Sequence, residues 1–235
     1  MTKPIKHRIL TTLSASIMLI AGAVTANAQR YYSPNVSIGG KAGMTMSEIS
    51  FSPSIRQSML QGVMMGATFR YTEERNFGLI AELNLAQRGW KEDFEEHPFA
   101  YSRTLTYIDI PVLTHIYFGS RKVKGFVNLG PSVSYMMASK INANFDYTDV
   151  KSVTGFPAHN RMTEQLNTDI KNKIDYGINA GLGLEYFINR RNSIMLEGRL
   201  YYGLGNIFPA AKADTFAASR SLSIQATLGY MFRIK

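Results

Sequence analysis

Leu222–Ile234, LSIQATLGYMFRI, is the stretch on which the fold of this chain turns. Its even positions are apolar: Leu222, Ile224, Ala226, Leu228, Tyr230, Phe232 and Ile234. Its odd positions are small or polar except Met231: Ser223, Gln225, Thr227, Gly229 and Arg233. A period of two sustained this long specifies an extended strand with one dry face and one wet face. No charge interrupts the dry face, and its aromatic pair, Tyr230 and Phe232, falls near the chain end. Such a face suits contact with lipid by a strand that closes a transmembrane β-barrel.

Seven earlier stretches repeat the pattern: 36–47, 62–71, 77–88, 104–118, 123–137, 174–186 and 193–203. Residues 174–186 show it most clearly. Ile174, Tyr176, Ile178, Ala180, Leu182, Leu184 and Tyr186 face one way, and Asp175, Gly177, Asn179, Gly181, Gly183 and Glu185 the other. Eight strands is an even number, as bacterial barrels have, and the lengths suit tilted strands crossing a bilayer. Connections alternate between short (72–76, 119–122, 187–192) and long (48–61, 89–103, 138–173, 205–221). Outer-membrane barrels alternate in this way, with short turns in the periplasm and long loops outside, which predicts periplasmic termini.

Periodicity alone does not separate a lipid-facing sheet from a soluble sandwich or lipocalin-like barrel, which alternates equally well. Three features favour lipid. The apolar face of all eight strands is free of charge. The polar face is rich in Gly, Ser and Asn, and its charges nearly balance: Lys41, Arg70, Arg88, Lys124, Arg199 and Arg233 against Glu82, Asp109, Asp175, Glu185 and Glu197. Such a face suits a narrow lumen plugged by ion pairs, because an unpaired charge there is costly. Inward Gly177, Gly181 and Gly183 would make room for Arg199, Tyr201 and Phe126. Outward aromatics gather at strand ends, as girdles do where headgroups meet hydrocarbon. Tyr71, Phe77, Phe118, Tyr186 and Phe232 fall at the turn end, and Tyr135, Tyr176 and Tyr202 at the loop end.

The 235-residue chain carries 26 basic and 17 acidic residues and no cysteine, so neither disulfides nor a thiolate metal site brace it. Its first residues are basic (Lys3, Lys6, Arg8), 9–24 are mostly apolar, and Ala26-Asn27-Ala28 has the small-x-small cleavage pattern. That reads as a secretory signal peptide over 1–28, followed by one barrel domain over 29–235. The apolar run is broken by Thr11, Thr12, Ser14 and Ser16 and is short for a spanning helix.

Residues able to carry chemistry are sparse. A lipid deacylase needs His, Ser and a carboxylate grouped on the lipid side. His115 has inward parity and reads as a hydrogen-bonding lumen residue. No nucleophile–base pair, phosphate loop or metal-ligand spacing is evident, so neither enzyme activity nor a cofactor is expected. The stretch 89–103, GWKEDFEEHPFAYSR, sets Glu92, Asp93, Glu95 and Glu96 among Trp90, Phe94, Phe99 and Tyr101. It is a candidate partner-binding loop, though aromatics packed over the barrel mouth explain it more simply. The longest excursion, 138–173, is where loop function would sit. Scattered basic residues form no stripe for nucleic acid.

Five stretches resemble one family: GGKAGMTMS (39–47), FGLIAELNLAQRGW (77–90), YIDIPVLTHIYFG (107–119), FVNLGPSVSYM (126–136) and DYGINAGLGLEY (175–186). The chain resembles the PorT-like outer-membrane β-barrel family of Gram-negative bacteria, also labelled porin family or outer membrane protein beta-barrel domain. That resemblance implies an integral outer-membrane barrel, and its namesake serves a protein-secretion and surface-motility apparatus. The expected function is a membrane-embedded interaction or assembly component with a largely plugged lumen. Expected partners are outer-membrane lipids and other envelope or secretion-system proteins. A small diffusion porin is the alternative, and a lipid-modifying enzyme the third.

Overall fold

The alternating stretches all become strands in the structure, a computed structural model that describes residues 34–73, 76–95, 97–157, 162–210 and 215–234. The expected signal peptide lies outside the described residues. In chain order the strands are β1 (Asn35–Ser52), β2 (Gln57–Ser58), β3 (Leu60–Thr72), β4 (Phe77–Glu92) and β5 (Tyr101–Gly119). After them come β6 (Val123–Ala143), β7 (Ile174–Phe187), β8 (Asn192–Gly203) and β9 (Ala218–Arg233), with one helical turn, α1 (Glu164–Asn167), between β6 and β7. Among the described residues no helix is long and apolar enough to cross a membrane.

Eight long strands form a closed antiparallel ring in the order β1-β3-β4-β5-β6-β7-β8-β9. The two-residue β2 hangs on the far end of β4. β9 closes on β1 over a long register from Ser37↔Arg233 to Ser52↔Ala218. Closure leaves no sheet edge, which hydrocarbon requires because it offers no partner for an open N–H or C=O. Pro111 and Pro131 sit inside this ring. Proline has no N–H, and the ladder lapses beside each one: β4–β5 pairing skips Glu82 and Leu83, and β5–β6 pairing skips Val112 and Leu113.

The two faces sort as parity predicts. Outward Leu182 is 71% exposed, while inward Arg88 and Glu185 are at most 1% exposed. Exposed Val, Ile and Leu with buried Arg and Glu make a molecule turned inside out relative to a soluble one, as a lipid solvent demands. The expected girdle residues stand outward at both rims; Phe118, Tyr186, Tyr135 and Tyr176 are all exposed. Tyr176 to Tyr186 is about ten residue steps, which at about 3.3 Å each and a tilt near 40° spans roughly 25 Å, the height of a barrel's apolar band.

Five strands run three or more residues past their expected ends, all at the loop end: β1 to Ser52, β4 to Glu92, β5 from Tyr101, β6 to Ala143 and β9 from Ala218. There the hydropathy phase reverses. On β5, outward residues change from Ile110 and Ile108 to Thr106, Thr104 and Ser102, while inward ones change from His115 and Asp109 to Tyr107, Leu105 and Tyr101. The outside has left hydrocarbon and the inside has become an ordinary apolar core. A β-bulge marks the change: Thr106 pairs with Ala138 but Tyr107 with Met136, leaving Met137 as the extra residue just above Tyr135.

The two regimes respond differently to one substitution. Leu182→Lys, between the girdles, is expected to cost about 2–4 kcal/mol. Thr104→Lys, on the same face above the rim, should stay within about 0.5 kcal/mol of wild type. Urea titration of protein folded into lipid vesicles measures both, and equal costs would mean that the lipid boundary is misplaced.

Candidate functional site

The interior is filled at three levels. At mid-height, Lys41 lies across from Gly66 and Gly229 on the strands to either side, which leaves its side chain room to extend inward. Its Nζ donates to Glu82 Oε2 at 2.7 Å. Arg199 grips the same carboxylate with two bonds, 2.7 and 2.9 Å, and reaches Glu197 Oε2 at 2.9 Å. Two carboxylates and two cations thus share one cluster, so each charge removed from water faces an opposite one. Asn84 Nδ2 donates to Glu82 at 3.0 Å, and Asn128 Nδ2 to Glu197 at 2.7 Å.

His115 joins this cluster through Asn128, with Nδ1 2.7 Å from Asn128 Oδ1. Since the Asn128 amide nitrogen faces Glu197, its oxygen must accept, and the imidazole proton belongs on Nδ1. His115 is therefore an interior hydrogen-bonding residue, not the base of a lipid-side catalytic group.

Nearer the turns, Arg70 and Glu185 form a two-pronged pair with both bonds at 2.8 Å, and Ser193 donates to the same carboxylate at 2.5 Å. Tyr117, Phe126, Met195 and Met231 pack as an apolar floor there. Gly183 admits the Phe126 ring, which a Cβ would meet at 2.4 Å. Lys124 differs from the other expected network members, because its ammonium lies over the Tyr117 ring at 4.2 Å and the Phe187 ring at 5.1 Å.

Toward the loops, Arg88 is sandwiched between Tyr201 (4.0 Å) and Tyr107 (5.0 Å). It contacts Asp109 at 3.1 Å and Asp175 at 3.8 Å, and Ser134 Oγ bridges by accepting from Arg88 at 3.0 Å and donating to Asp109 at 2.6 Å. Gly177 makes space for Tyr201, as a Cβ there would lie 2.7 Å from its ring.

An apolar cap seals the loop end above Arg88. Trp90, Phe94 and Tyr101 are buried in it with Ile49, Phe51, Leu105, Leu166, Ile207, Phe208 and Phe216. Phe51 meets Trp90 edge-on at 5.5 Å and lies beside Phe216 at 5.2 Å. The long connection after β6 bends in to contribute α1. Tyr101 donates to the Leu166 carbonyl at 2.8 Å, Arg103 to the Thr168 carbonyl at 2.7 Å, and Gln165 to Glu92 at 3.0 Å. Burial pushes the Tyr101 phenol above its ordinary pKa, so it stays a neutral donor. Of the four aromatics in the candidate partner-binding loop, only Phe99 is partly exposed; the other three hold the cap together and offer a partner no contact surface.

Sequence reasoning missed the contributions of Ile49, Phe51, Leu166, Ile207, Phe208 and Phe216, which lie in connections or beyond the expected strand ends. Inward parity carried on from β1 would have found Ile49 and Phe51. Among the described residues, no three His, Asp or Glu side chains gather as a metal-binding group.

Removing one partner of a buried pair leaves a lone charge in the lumen. Glu185→Leu is expected to cost about 3–5 kcal/mol, and adding Arg70→Met should recover a large part of that loss. Unfolding of the single and double variants from lipid vesicles tests this; additive losses would mean that the pair is not energetically coupled.

One solved structure, with a TM-score of 0.51, agrees with the ring. Residues of this chain align over 86% of its length with 95% of outer membrane protein OprG from Pseudomonas aeruginosa, at 11% identity and a TM-score of 0.51. Neisserial surface protein A is matched over 86% of this chain and 99% of its own, at 12% identity and a TM-score of 0.45. The outer membrane enzyme PagL is matched over 83% and 98%, at 11% identity and a TM-score of 0.35. The OprG match, at so low an identity, speaks to the fold alone, and the other two carry no weight. No curated protein sequence matches. A family model described as outer membrane protein beta-barrel domain matches residues 27–209, most of the chain. With its closed ring, lipid-type exterior and charged interior, the chain belongs to the outer membrane protein beta-barrel domain family.

Proposed function

We propose that this outer-membrane barrel is a PorT-like interaction or assembly component, which anchors a pre-formed loop-end surface for other envelope or secretion-system proteins. The observation that carries this reading is the filling of the lumen at every level: an apolar floor, three ion-pair groups and an apolar cap. A diffusion pore needs a hydrated path, and these groups stand across it. Both described ends of the barrel strands, Asn35 and Arg233, lie at the short-turn end, in keeping with periplasmic termini and outward loops.

The same geometry shapes the candidate loop. Its aromatics fix the cap from within, while Lys91, Asp93, Glu95 and His97 stand at the surface. Partner contact would thus be polar, on a scaffold made rigid by Trp90 and its neighbours. A lipid-modifying activity receives no support from His115, which is turned inward.

Planar-bilayer recordings of the purified protein should show no stable ohmic steps, and crosslinking in native membranes should capture a discrete partner. Steady conductance steps would replace this reading with the porin, and a monomer that never crosslinks would remove it. Trp90→Ala should cost about 3–5 kcal/mol and expose the loops to protease, with the barrel still resistant.

A further inference from the structure

A cleft of about 630 Å³ opens on the outer surface of the barrel at the loop end, between the start of β7 and the connection that follows β8. Its lower part is formed by Tyr135, Ile174 and Tyr176, and Lys171, Asn172 and Lys173 make one wall. The cleft is built, not incidental. The Met136 amide donates to the Lys173 carbonyl at 2.7 Å, which pins that wall to β6. Asn172 Nδ2 donates to the Asn206 carbonyl at 2.8 Å, which ties the two walls together. The Leu204 amide donates to the Tyr176 carbonyl at 2.8 Å and holds the far wall against β7.

Height along the barrel decides what such a cleft can meet. Tyr135 and Tyr176 belong to the aromatic girdle, where hydrocarbon gives way to headgroups. Lys173 and Lys171 stand three and five residues above Tyr176, roughly 10–16 Å of extended chain, within the headgroup layer. Both lysines are exposed, and neither forms an ion pair with a described residue. A soluble anion would match the two ammonium groups and leave the aromatic floor idle. A membrane lipid whose headgroup carries phosphate matches both: acyl chains against Ile174 and Tyr176, phosphate against the lysines.

We propose that this cleft binds the phosphate-bearing headgroup of a lipid in the leaflet at the loop end. The site rests on the membrane-barrel reading of the fold and is independent of whether the loops bind a protein partner.

The test uses the full chain folded in detergent micelles, with native mass spectrometry counting retained lipid. The probes are diphosphorylated lipid A, the same lipid with its phosphates removed, and inorganic phosphate. Wild type should retain the phosphorylated lipid at least roughly tenfold better than the dephosphorylated one. K171Q/K173Q should lose roughly 30-fold in apparent affinity, as expected for two lysines near a charged surface. K91Q, at the same rim but on β4, should behave as wild type. Equal retention of the two lipids, or a double variant that binds like wild type, would overturn the site. Complete displacement by inorganic phosphate at equal concentration would show a free-anion site, and displacement by a polyglutamate peptide would show a protein-docking surface; either overturns the lipid assignment. Heat-modifiable gel mobility of each variant separates the two levels: a folded barrel without lipid selectivity sinks this site alone, whereas failure to fold in micelles or bilayers would sink the barrel reading itself.

Discussion

Hydrocarbon offers no hydrogen bond to an unpaired backbone group, and the rest of this structure follows from that. A sheet meets the demand only by joining its first strand to its last, here β1 to β9. Joining the ends of an antiparallel sheet sets an even strand count and brings both ends of the chain to one rim. Of the two prolines in the ring, Pro131 keeps an unbroken β6–β7 ladder on its other side, and Pro111 still pairs with Ser132 next to the lapse.

Closing the ring creates an interior too narrow for water to fill freely and too polar to be a hydrocarbon core. The chain fills it with opposed charges. Glu82 takes both Lys41 and Arg199, Glu185 takes Arg70 in two bonds, and Arg88 lies between two tyrosines beside two aspartates. Neutral Asn84, Asn128 and Ser134 add donors and acceptors that charge pairing alone would leave unmet. Glycines on β7 supply the space, because Tyr201 and Phe126 rings press where their side chains would stand.

The five extended strands therefore serve two solvents. Between the girdles their outward faces are apolar and their inward faces polar; above the loop-end girdle the assignment reverses, and the same backbones build a conventional apolar core from Trp90, Phe51 and Tyr101. The bulge at Met137 lies at that boundary. The cap, fixed by Tyr101 and Arg103 to the descending loop, is what turns four long connections into a defined surface.

Strand number, closure, lipid-facing parity and the inward charges were all written in the sequence, because a period of two joined to an uncharged face, a charge-balanced opposite face and aromatics sorted to the strand ends fits lipid and not a soluble core. Glu82, Arg199, Arg70 and Glu185 could be placed inside by parity alone. Which of them pair could not, since Arg70 and Glu185 are 115 positions apart and meet only across the closed ring. Strand ends at the loop side were misjudged because the phase of hydropathy reverses there, so Leu105 and Tyr101 look like a break in the pattern. The burial of Trp90 and Phe94 was likewise settled by tertiary structure: they become a core only when the chain around Leu166 and Phe208 folds over them, and contacts between segments so distant leave no mark in local periodicity.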